Sequence, residues 1–174
     1  MAPLAGKTLC LLIQLPPSLG IQEGLEKLEK FYYRLDGRFR YAVEVRHKSW
    51  FQDLAYDFFA KNGICMVWNQ LAEMKTPPIV TADFLYLRFI GDRSIDAKDF
   101  GKIQKDRIGE MQYWAREVTQ VQENNSNVGF ATVAANNHYA GFGPGTANTF
   151  RTMLGLPEAL WEEKKQATLG DFSN

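Results

Sequence analysis

The chain has few of the residues that build disulfide frameworks and zinc sites. Its 174 residues include two cysteines and two histidines. Cys10 and Cys65 lie in the apolar runs 8–13 and 64–68, which favours buried structural thiols over a disulfide or a catalytic pair. A Cys/His zinc site has little support from so few ligands. We therefore predict no metal centre and assign no cofactor.

The chain also lacks an excess of either charge and any long apolar segment. Twenty basic side chains balance twenty acidic ones, so no overall field draws the chain to nucleic acid or to an anionic membrane. No basic-then-apolar signal segment opens the sequence, and no apolar run approaches the roughly 20 residues that span a bilayer. These absences predict a cytoplasmic protein that does not enter membranes. The hydrophobic fraction of 45% is typical of a globular domain.

What the sequence does contain is an alternation of short apolar strands with amphipathic helices. Strands are predicted at 8–14, 41–46, 64–68, 84–90 and 128–134. Ser18 precedes a first helix, and Ser49 with Gln52 forms a capping box for a second helix that ends near Gly63. A long loop is predicted at 69–83, a helix from about Lys102 to Val121, and another from its cap Thr146 to Leu154. Pro157 is predicted to open a last short helix.

This alternation is compatible with two parallel α/β architectures, a TIM-type barrel and an open doubly wound sheet. Five strands are too few to close an eight-stranded barrel. No Gly-x-Gly-x-x-Gly turn follows the first strand, which disfavours dinucleotide binding. The pattern alone leaves both architectures open.

Three segments resemble successive signatures of the YecE-like family, also called domain of unknown function 72. They are Leu-Ile-Gln-Leu-Pro-Pro at 12–17, Tyr-Ala-Val-Glu-Val-Arg-His-Lys-Ser-Trp at 41–50 and Thr-Ala-Asp-Phe-Leu-Tyr-Leu-Arg at 81–88. Asn-Asn-His-Tyr-Ala at 136–140, continued by Thr-Ala-Asn at 146–148, resembles the closing motif of the family. The resemblance covers nearly the whole chain and implies a TIM-barrel-like fold.

The sequence departs from the family pattern at two places. Ile90 stands where family members usually carry a histidine, and the family's N-terminal strands, with their glycine- and tryptophan-containing opening motif, are not found. We therefore predict a partial TIM-barrel-like array of about five parallel strands over residues 1–156, followed by a C-terminal helix and tail at 157–174. Either the chain is truncated, or another chain completes its sheet, which predicts self-association through unpaired strand edges.

Polar residues stand where each predicted strand ends, which is where parallel α/β folds bind ligands. These residues are Gln14, Glu44, Arg46, His47, Asn69, Arg88, Asn136 and Asn137. Arg46 and Arg88 offer planar forks for a carboxylate or a phosphate. The alternatives are an internal pair of Arg46 with Glu44, two residues away on the same strand face, and a salt bridge of Arg88 with Asp83 or Asp92.

Catalytic candidates are fewer. Glu44 is the carboxylate best placed to act as a base or a metal ligand, and His138 can act as a general acid or base. His138 and His47 can equally be surface hydrogen-bonders. No second carboxylate completes a glycosidase pair, and no Ser-His-Asp arrangement is present. Trp50 and Trp68 either line the mouth of the site or pack against the helices.

A glycine-rich loop at 141–145, which includes Gly143, leads to Thr146. Backbone N–H groups at this entry to a helix can bind an anion, and barrel enzymes often place a phosphate site in this late position. The alternative is a plain turn without a ligand.

Two functions follow. The first is an enzyme acting on a phosphate-bearing substrate, either a nucleic-acid phosphodiester or a phosphorylated small molecule, which the neutral net charge favours. The second is a non-catalytic binding or adaptor protein that retains the pocket.

The end of the sequence indicates a partner. Gln166, Leu169 and Phe172 have the spacing of the sliding-clamp-binding box of archaeal and eukaryotic replication and repair proteins, which this tail resembles. One helical turn places the two apolar side chains on one face, ready for a hydrophobic groove. Ser173 stands where a second aromatic is common, and a tail that packs on its own core is the alternative. The box implies a role in DNA repair.

Overall fold

A computed structural model describes residues 6–91, 93–124 and 127–160. Strands and helices alternate along these ranges, as the apolar pattern predicts. The strands are β1 (Leu11–Gln14), β2 (Tyr41–Glu44), β3 (Cys65–Met66), β4 (Trp68–Leu71), β5 (Phe84–Gly91) and β6 (Phe130–Ala135). The α-helices are α1 (Ile21–Tyr32), α2 (Asp53–Lys61), α3 (Ile108–Asn124), α4 (Asn137–Ala140) and α5 (Gly143–Met153).

The strands form two parallel sheets of three, in the orders β1-β2-β3 and β4-β5-β6. β3 and β4 are successive parts of one extended segment that is divided at Val67. The Val67 N–H still donates to the Val43 carbonyl oxygen of β2 at 2.9 Å, while the following residues pair with β5. The segment therefore connects the two sheets. The described strands do not close into a barrel, and β1 and β6 each have one edge without a strand partner among them.

One face of the sheets is covered by helices. Val43, Val45 and Met66 pack against α1 and α2, with Trp50 and Phe59 buried among them. A second cluster joins β4 and β5 to α3 and α5, and its aromatic members include Trp68, Trp114, Phe89 and Phe150. Trp50 and Trp68 thus pack in the helix layer, the second of their two alternatives. Burying a large apolar side chain stabilises the fold by about 1.5–3 kcal/mol.

The opposite face, called here the helix-free face, has its own apolar cluster. Ala42, Cys65, Val67 and Phe84 form its buried part, and Phe130 packs against them. Because strand side chains alternate between faces, residues two positions further along each strand point to the same side. This alternation places the polar strand-end residues beyond the apolar cluster, on the helix-free face.

The predicted capping box at Ser49 is wrong. A single 3-10 turn at Lys48–Trp50 comes first, and α2 begins only at Asp53. The Ser49 hydroxyl instead accepts from the backbone N–H of Ile21 at 2.9 Å, at the start of α1. Ser49 therefore caps α1 and not α2. Gly63, with φ of 63°, follows the end of α2, as predicted.

Two other helix starts differ from the prediction. α3 begins at Ile108 rather than Lys102, because the Gln104 N–H donates to the distant Ala140 carbonyl at 2.7 Å and Asp106 accepts from the Ile108 N–H. α5 begins at Gly143, so Thr146 lies inside the helix and does not cap it.

Two predictions of irregular and helical structure are also corrected. Asn69 lies within β4 rather than at the start of a loop. No helix begins at Pro157 within residues 157–160, because the Ala159 N–H donates to the Asn148 side chain at 2.7 Å and holds the chain along α5. The rest of the predicted C-terminal helix and tail lies outside the described residues. None of the described helices has the length and apolar character needed to cross a bilayer.

Candidate functional site

The strand-end residues are organised around Glu44, the last residue of β2. Its side chain is 0% exposed. Arg46 donates to one carboxylate oxygen, Oε1, and Arg88 donates from Nη1 to the other, Oε2. The two guanidinium side chains are 19% and 22% exposed, so they lie between the buried carboxylate and solvent. Both oxygens of one carboxylate thus hold two arginines in fixed positions.

The contact between Glu44 and Arg88 joins strands that are not neighbours. β2 and β5 flank the segment that contains Val67 and Asn69, so the ion pair crosses the helix-free face over that segment. Asn69 is the register partner of Arg88 and is 0% exposed. Neither side-chain atom of Asn69, Nδ2 or Oδ1, has a hydrogen-bond partner among the described residues.

A cavity of about 310 Å³ lies at this end of the strands. Gln14, at the end of β1, accepts a hydrogen bond from Nη2 of Arg46 at 3.3 Å. The cavity is lined by residues of four strand ends and the loops that follow them: Pro17, Arg46, Leu71, Ala72, Glu73, Met74 and Gly91. Larger cavities of about 620 and 530 Å³ lie at the helices and do not include these strand ends.

The alternatives for the two arginines are decided by this geometry. Arg46 pairs with Glu44, as the two-residue spacing allowed. Arg88 pairs with Glu44 rather than with Asp83, which pairs with Arg40 at 3.1 Å. The alternative partner at position 92 lies outside the described residues.

The histidine next to this cluster has a structural partner. His47 Nδ1 lies 2.7 Å from the Ser49 hydroxyl and accepts from the Ser49 N–H at 3.2 Å. No hydrogen bond connects His47 to Glu44 or to either arginine in the described part of the chain. Its imidazole therefore supports the turn before α2.

The asparagine pair after β6 caps two helices. Asn136 accepts from the His138 N–H at 3.0 Å at the start of α4, and Asn137 accepts from the Gly143 N–H at 2.7 Å at the start of α5. His138 packs edge-on against Phe100, and its Nδ1 is buried without a hydrogen-bond partner. No hydrogen bond or ion pair joins His138 to Glu44 among the described residues, so the two catalytic candidates do not form a pair there.

The glycine-rich loop is closely packed. A Cβ at Gly143 would lie 2.5 Å from the Ala135 carbonyl oxygen, so only glycine fits there. The Gly143 N–H is already used by Asn137, and buried Thr146 donates to the Phe142 carbonyl at 3.0 Å. These contacts explain the packing of the loop at the start of α5, and an anion site there stays a prediction.

Cys65 and Tyr86 are titratable groups of the helix-free face with perturbed pKa values. Burial raises the pKa of the Cys65 thiol to about 12. Burial also raises the pKa of the Tyr86 hydroxyl, and the charge of Arg88 opposes that shift. Both groups are neutral at physiological pH. The described residues contain no group of three or more His, Cys, Asp or Glu side chains placed to hold a metal ion.

Residues 71–74 lie in the predicted loop 69–83, but the sequence did not indicate that they form one wall of the cavity. The register of β4 against β5 shifts between Gln70 and Leu71, and this irregularity turns the loop toward Arg46. No residue pattern in the sequence predicts such a shift in register. Pro17 and Gly91 are residue types that mark the ends of strands, but nothing in the sequence indicated that they line a cavity.

Comparison with solved structures gives the same fold. A DUF72 family protein from Enterococcus faecalis V583 matches over 96% of this chain with a TM-score of 0.72 and 21% identity, and a second crystal structure of it matches over 90% with 0.69 and 22%. A DUF72 family protein from Thermotoga maritima MSB8 matches over 83% with 0.62 and 24%. The chain spans 66% and 56% of the lengths of these two proteins, less than two thirds of each.

Comparison of sequences identifies the family. The chain matches no curated protein. The family described as "Protein of unknown function DUF72" matches residues 1–169, nearly the whole chain, which confirms the resemblance found in the three motifs. The chain therefore belongs to the DUF72, or YecE-like, family.

Proposed function

We propose that this chain binds a phosphate-bearing substrate at the C-terminal ends of its strands, with Arg46 and Arg88 holding the anion. The observation that carries the proposal is the unequal charge of the buried cluster. One carboxylate, Glu44, is shared by two guanidinium groups, which leaves one positive charge uncompensated within the cluster. A partner of opposite charge stabilises a partly buried charge.

The arginines also retain hydrogen-bonding capacity. A guanidinium has five N–H donors, and the described residues use one side of each fork for Glu44, with one further contact from Arg46 to Gln14. Arg46 lines the 310 Å³ cavity. Glu73, in the loop that forms another part of the lining, is exposed to solvent. The remaining N–H groups suit a planar or tetrahedral anion bound from the cavity.

This arrangement makes Glu44 a positioning residue. Both of its oxygens accept from arginines and neither is exposed, so it holds the forks rather than taking a proton from a substrate. If the protein is an enzyme, His138 is the remaining acid–base candidate, on α4 after β6. Binding without turnover would correspond to the adaptor function. The neutral net charge favours a phosphorylated small molecule over nucleic acid. We infer that the parallel strands are part of a TIM-barrel-like array, whose strand ends hold substrates.

The test is the stabilisation of the protein by phosphate. At ten times its dissociation constant, a ligand stabilises the folded state by about 1.4 kcal/mol, which raises the melting temperature by about 3–5 °C for a domain of this size. Arg88→Ala should abolish that gain. Arg40→Ala is the matched control, because Arg40 is also in an ion pair but precedes β2 at the other end of the strand. Equal stabilisation of all three proteins would place the anion elsewhere.

We also propose that the tail recruits the protein to a DNA sliding clamp. Gln166, Leu169 and Phe172 lie outside the described residues, and the proposal rests on their spacing in the sequence. Calorimetry of a peptide spanning 163–174 against the clamp of the source organism tests it. Binding that is lost in Phe172→Ala is expected. Binding unchanged by that substitution, or no binding at high micromolar concentration, contradicts it.

Self-association is proposed from the two strand edges. β1 and β6 each have an unpaired edge among the described residues, and exposed edges pair with other strands. Light scattering should therefore show a mass above that of one chain, 19.8 kDa. A thermally stable monomer would contradict this proposal.

A further inference from the structure

Asn69 is a buried side chain whose hydrogen-bonding groups are unused. It is 0% exposed, and both Nδ2 and Oδ1 lack partners among the described residues. Its backbone is satisfied, since its N–H donates to the Thr76 hydroxyl at 3.1 Å and its carbonyl accepts from the Thr76 N–H at 3.1 Å. Buried amides in native proteins nearly always have partners, so an amide left without any indicates a site for a ligand group.

The position of Asn69 connects it to the anion site. It lies on the helix-free face in register with Arg88, under the contact between Arg88 and Glu44. Leu71, two residues further along β4, lines the cavity together with Arg46. The Arg88 guanidinium, 22% exposed, is held by Glu44, and its residue is the register partner of Asn69 on β5. An anion bound by Arg88 and Arg46 would therefore lie near the Asn69 amide.

The chemistry of the amide restricts the ligand. Nδ2 donates, and Oδ1 can only accept, so a ligand that satisfies both must carry a hydrogen-bond acceptor and a hydrogen-bond donor. Glu44 does not supply the missing acceptor, because Asn69 Nδ2 has no hydrogen-bond partner among the described residues. Among anions that an arginine fork binds, a phosphate monoester in its monoanionic form has both groups on one phosphorus. A phosphodiester has no P–O–H.

We propose that Asn69 selects phosphate monoesters over diesters at the site formed by Arg46 and Arg88. Nδ2 donates to an unprotonated phosphate oxygen, and Oδ1 accepts from the P–O–H of the same group. This proposal rests on the proposed function, since the arginines supply the attraction to the anion. It names the ligand class as a phosphomonoester and excludes the DNA backbone as the preferred ligand.

The experiment compares methyl phosphate with dimethyl phosphate by calorimetry at about pH 5. The second pKa of a monoester is about 6, so both probes are mainly monoanions there and only the first has a P–O–H. The intact chain should bind methyl phosphate about fivefold more tightly, the effect of one net hydrogen bond. Equal affinity for the two probes overturns the proposal and needs no variant.

Asn69→Leu should reduce the ratio of the two affinities to about one, because methyl phosphate loses the hydrogen bonds to both Nδ2 and Oδ1 whereas dimethyl phosphate loses only the one to Nδ2. Arg88→Ala should weaken both probes together. If Arg88→Ala abolishes binding and the intact chain shows no preference, the proposed function stands and the role of Asn69 fails. If Arg88→Ala changes neither affinity, the proposed function itself fails.

Asn148 supplies the matched control for folding. It is also buried, but its Nδ2 donates to Glu158 at 3.0 Å and its Oδ1 accepts from the Ala159 N–H. Asn148→Leu should lower the melting temperature, whereas Asn69→Leu should leave it equal or higher, because no protein partner is lost. A large loss of stability in Asn69→Leu, similar to that in Asn148→Leu, would show that Asn69 has a structural role and overturn the proposal.

Discussion

The two ends of the helix-free face use the same strands for opposite purposes. Near the strand starts, Phe84 stacks on Phe130 with ring centroids 5.2 Å apart, beside buried Ala42 and Cys65. This end is a small apolar core.

At the other end of the same face, the strands carry polar or charged side chains instead of apolar ones. On β2, Ala42 is followed two positions later by Glu44, and on β5 Phe84 is followed four positions later by Arg88. The ion pairs there bury a carboxylate at a desolvation cost, and they leave a positive charge and an unsatisfied amide. One end therefore stabilises the sheet, whereas the other retains unused hydrogen-bonding groups among the described residues, which the proposed function assigns to a ligand.

The largest expected effect is at the apolar end. Phe84→Ala removes a fully buried ring that stacks on Phe130 and should lower the free energy of unfolding by about 3–5 kcal/mol. Urea unfolding measures the change. Phosphate binding should persist in the folded fraction, because no residue of the anion site is altered. A loss below 1 kcal/mol would mean that this cluster does not hold the sheet together.

A smaller loss is expected at the polar end. Glu44→Ala removes the carboxylate that positions two arginines and should lower the free energy of unfolding by about 3 kcal/mol. This is the lower end of the range for breaking a buried ion pair, because both arginines are partly exposed. Asp83→Ala is the control, because the exposed pair of Asp83 with Arg40 contributes at most about 1 kcal/mol. Equal effects in the two variants would contradict the structural role of Glu44.

How much of this was predictable depends on the distance in sequence over which a contact acts. The pair of Glu44 with Arg46 was one of two alternatives that two-residue alternation in the predicted strand 41–46 offered, and the structure contains it. The contact of Arg88 with Glu44 was not predicted, because it requires knowing that β2 and β5 flank a single strand. The start of α3 was misplaced for the same reason, since the Ala140 carbonyl that binds the Gln104 N–H is 36 positions away.

The family resemblance and the parallel strands were predicted correctly, because motifs and apolar runs are local signals. The alternatives for Trp50 and Trp68 needed the helix packing to decide between them. The orphaned amide of Asn69 had no signal in the sequence beyond its place at a strand end.

The smallest effect concerns the pH dependence of the apolar end. Burial raises the pKa of Cys65 to about 12, above the value of about 8.5 for an unfolded chain. The folded state therefore binds the proton more tightly. The contribution of the protonated Cys65 thiol to the free energy of unfolding is complete below about pH 8.5. It is lost as the pH rises toward 12, by at most about 1.4 kcal/mol per pH unit.

Urea unfolding between pH 8 and pH 10 measures this slope, which should be shallower in Cys65→Ala. Alkylation is an independent check, because half-buried Cys10 should react before Cys65. Faster labelling of Cys65 would show that the apolar end opens to solvent.

The most direct test of the account is a crystal structure of the protein grown or soaked with a phosphate monoester. We expect one bound phosphate at the strand ends, with oxygens within hydrogen-bond distance of Arg46 and Arg88 and with the Asn69 amide in contact. A phosphate bound only elsewhere, with both arginines still on Glu44 and the cavity at Leu71 unoccupied, would contradict it.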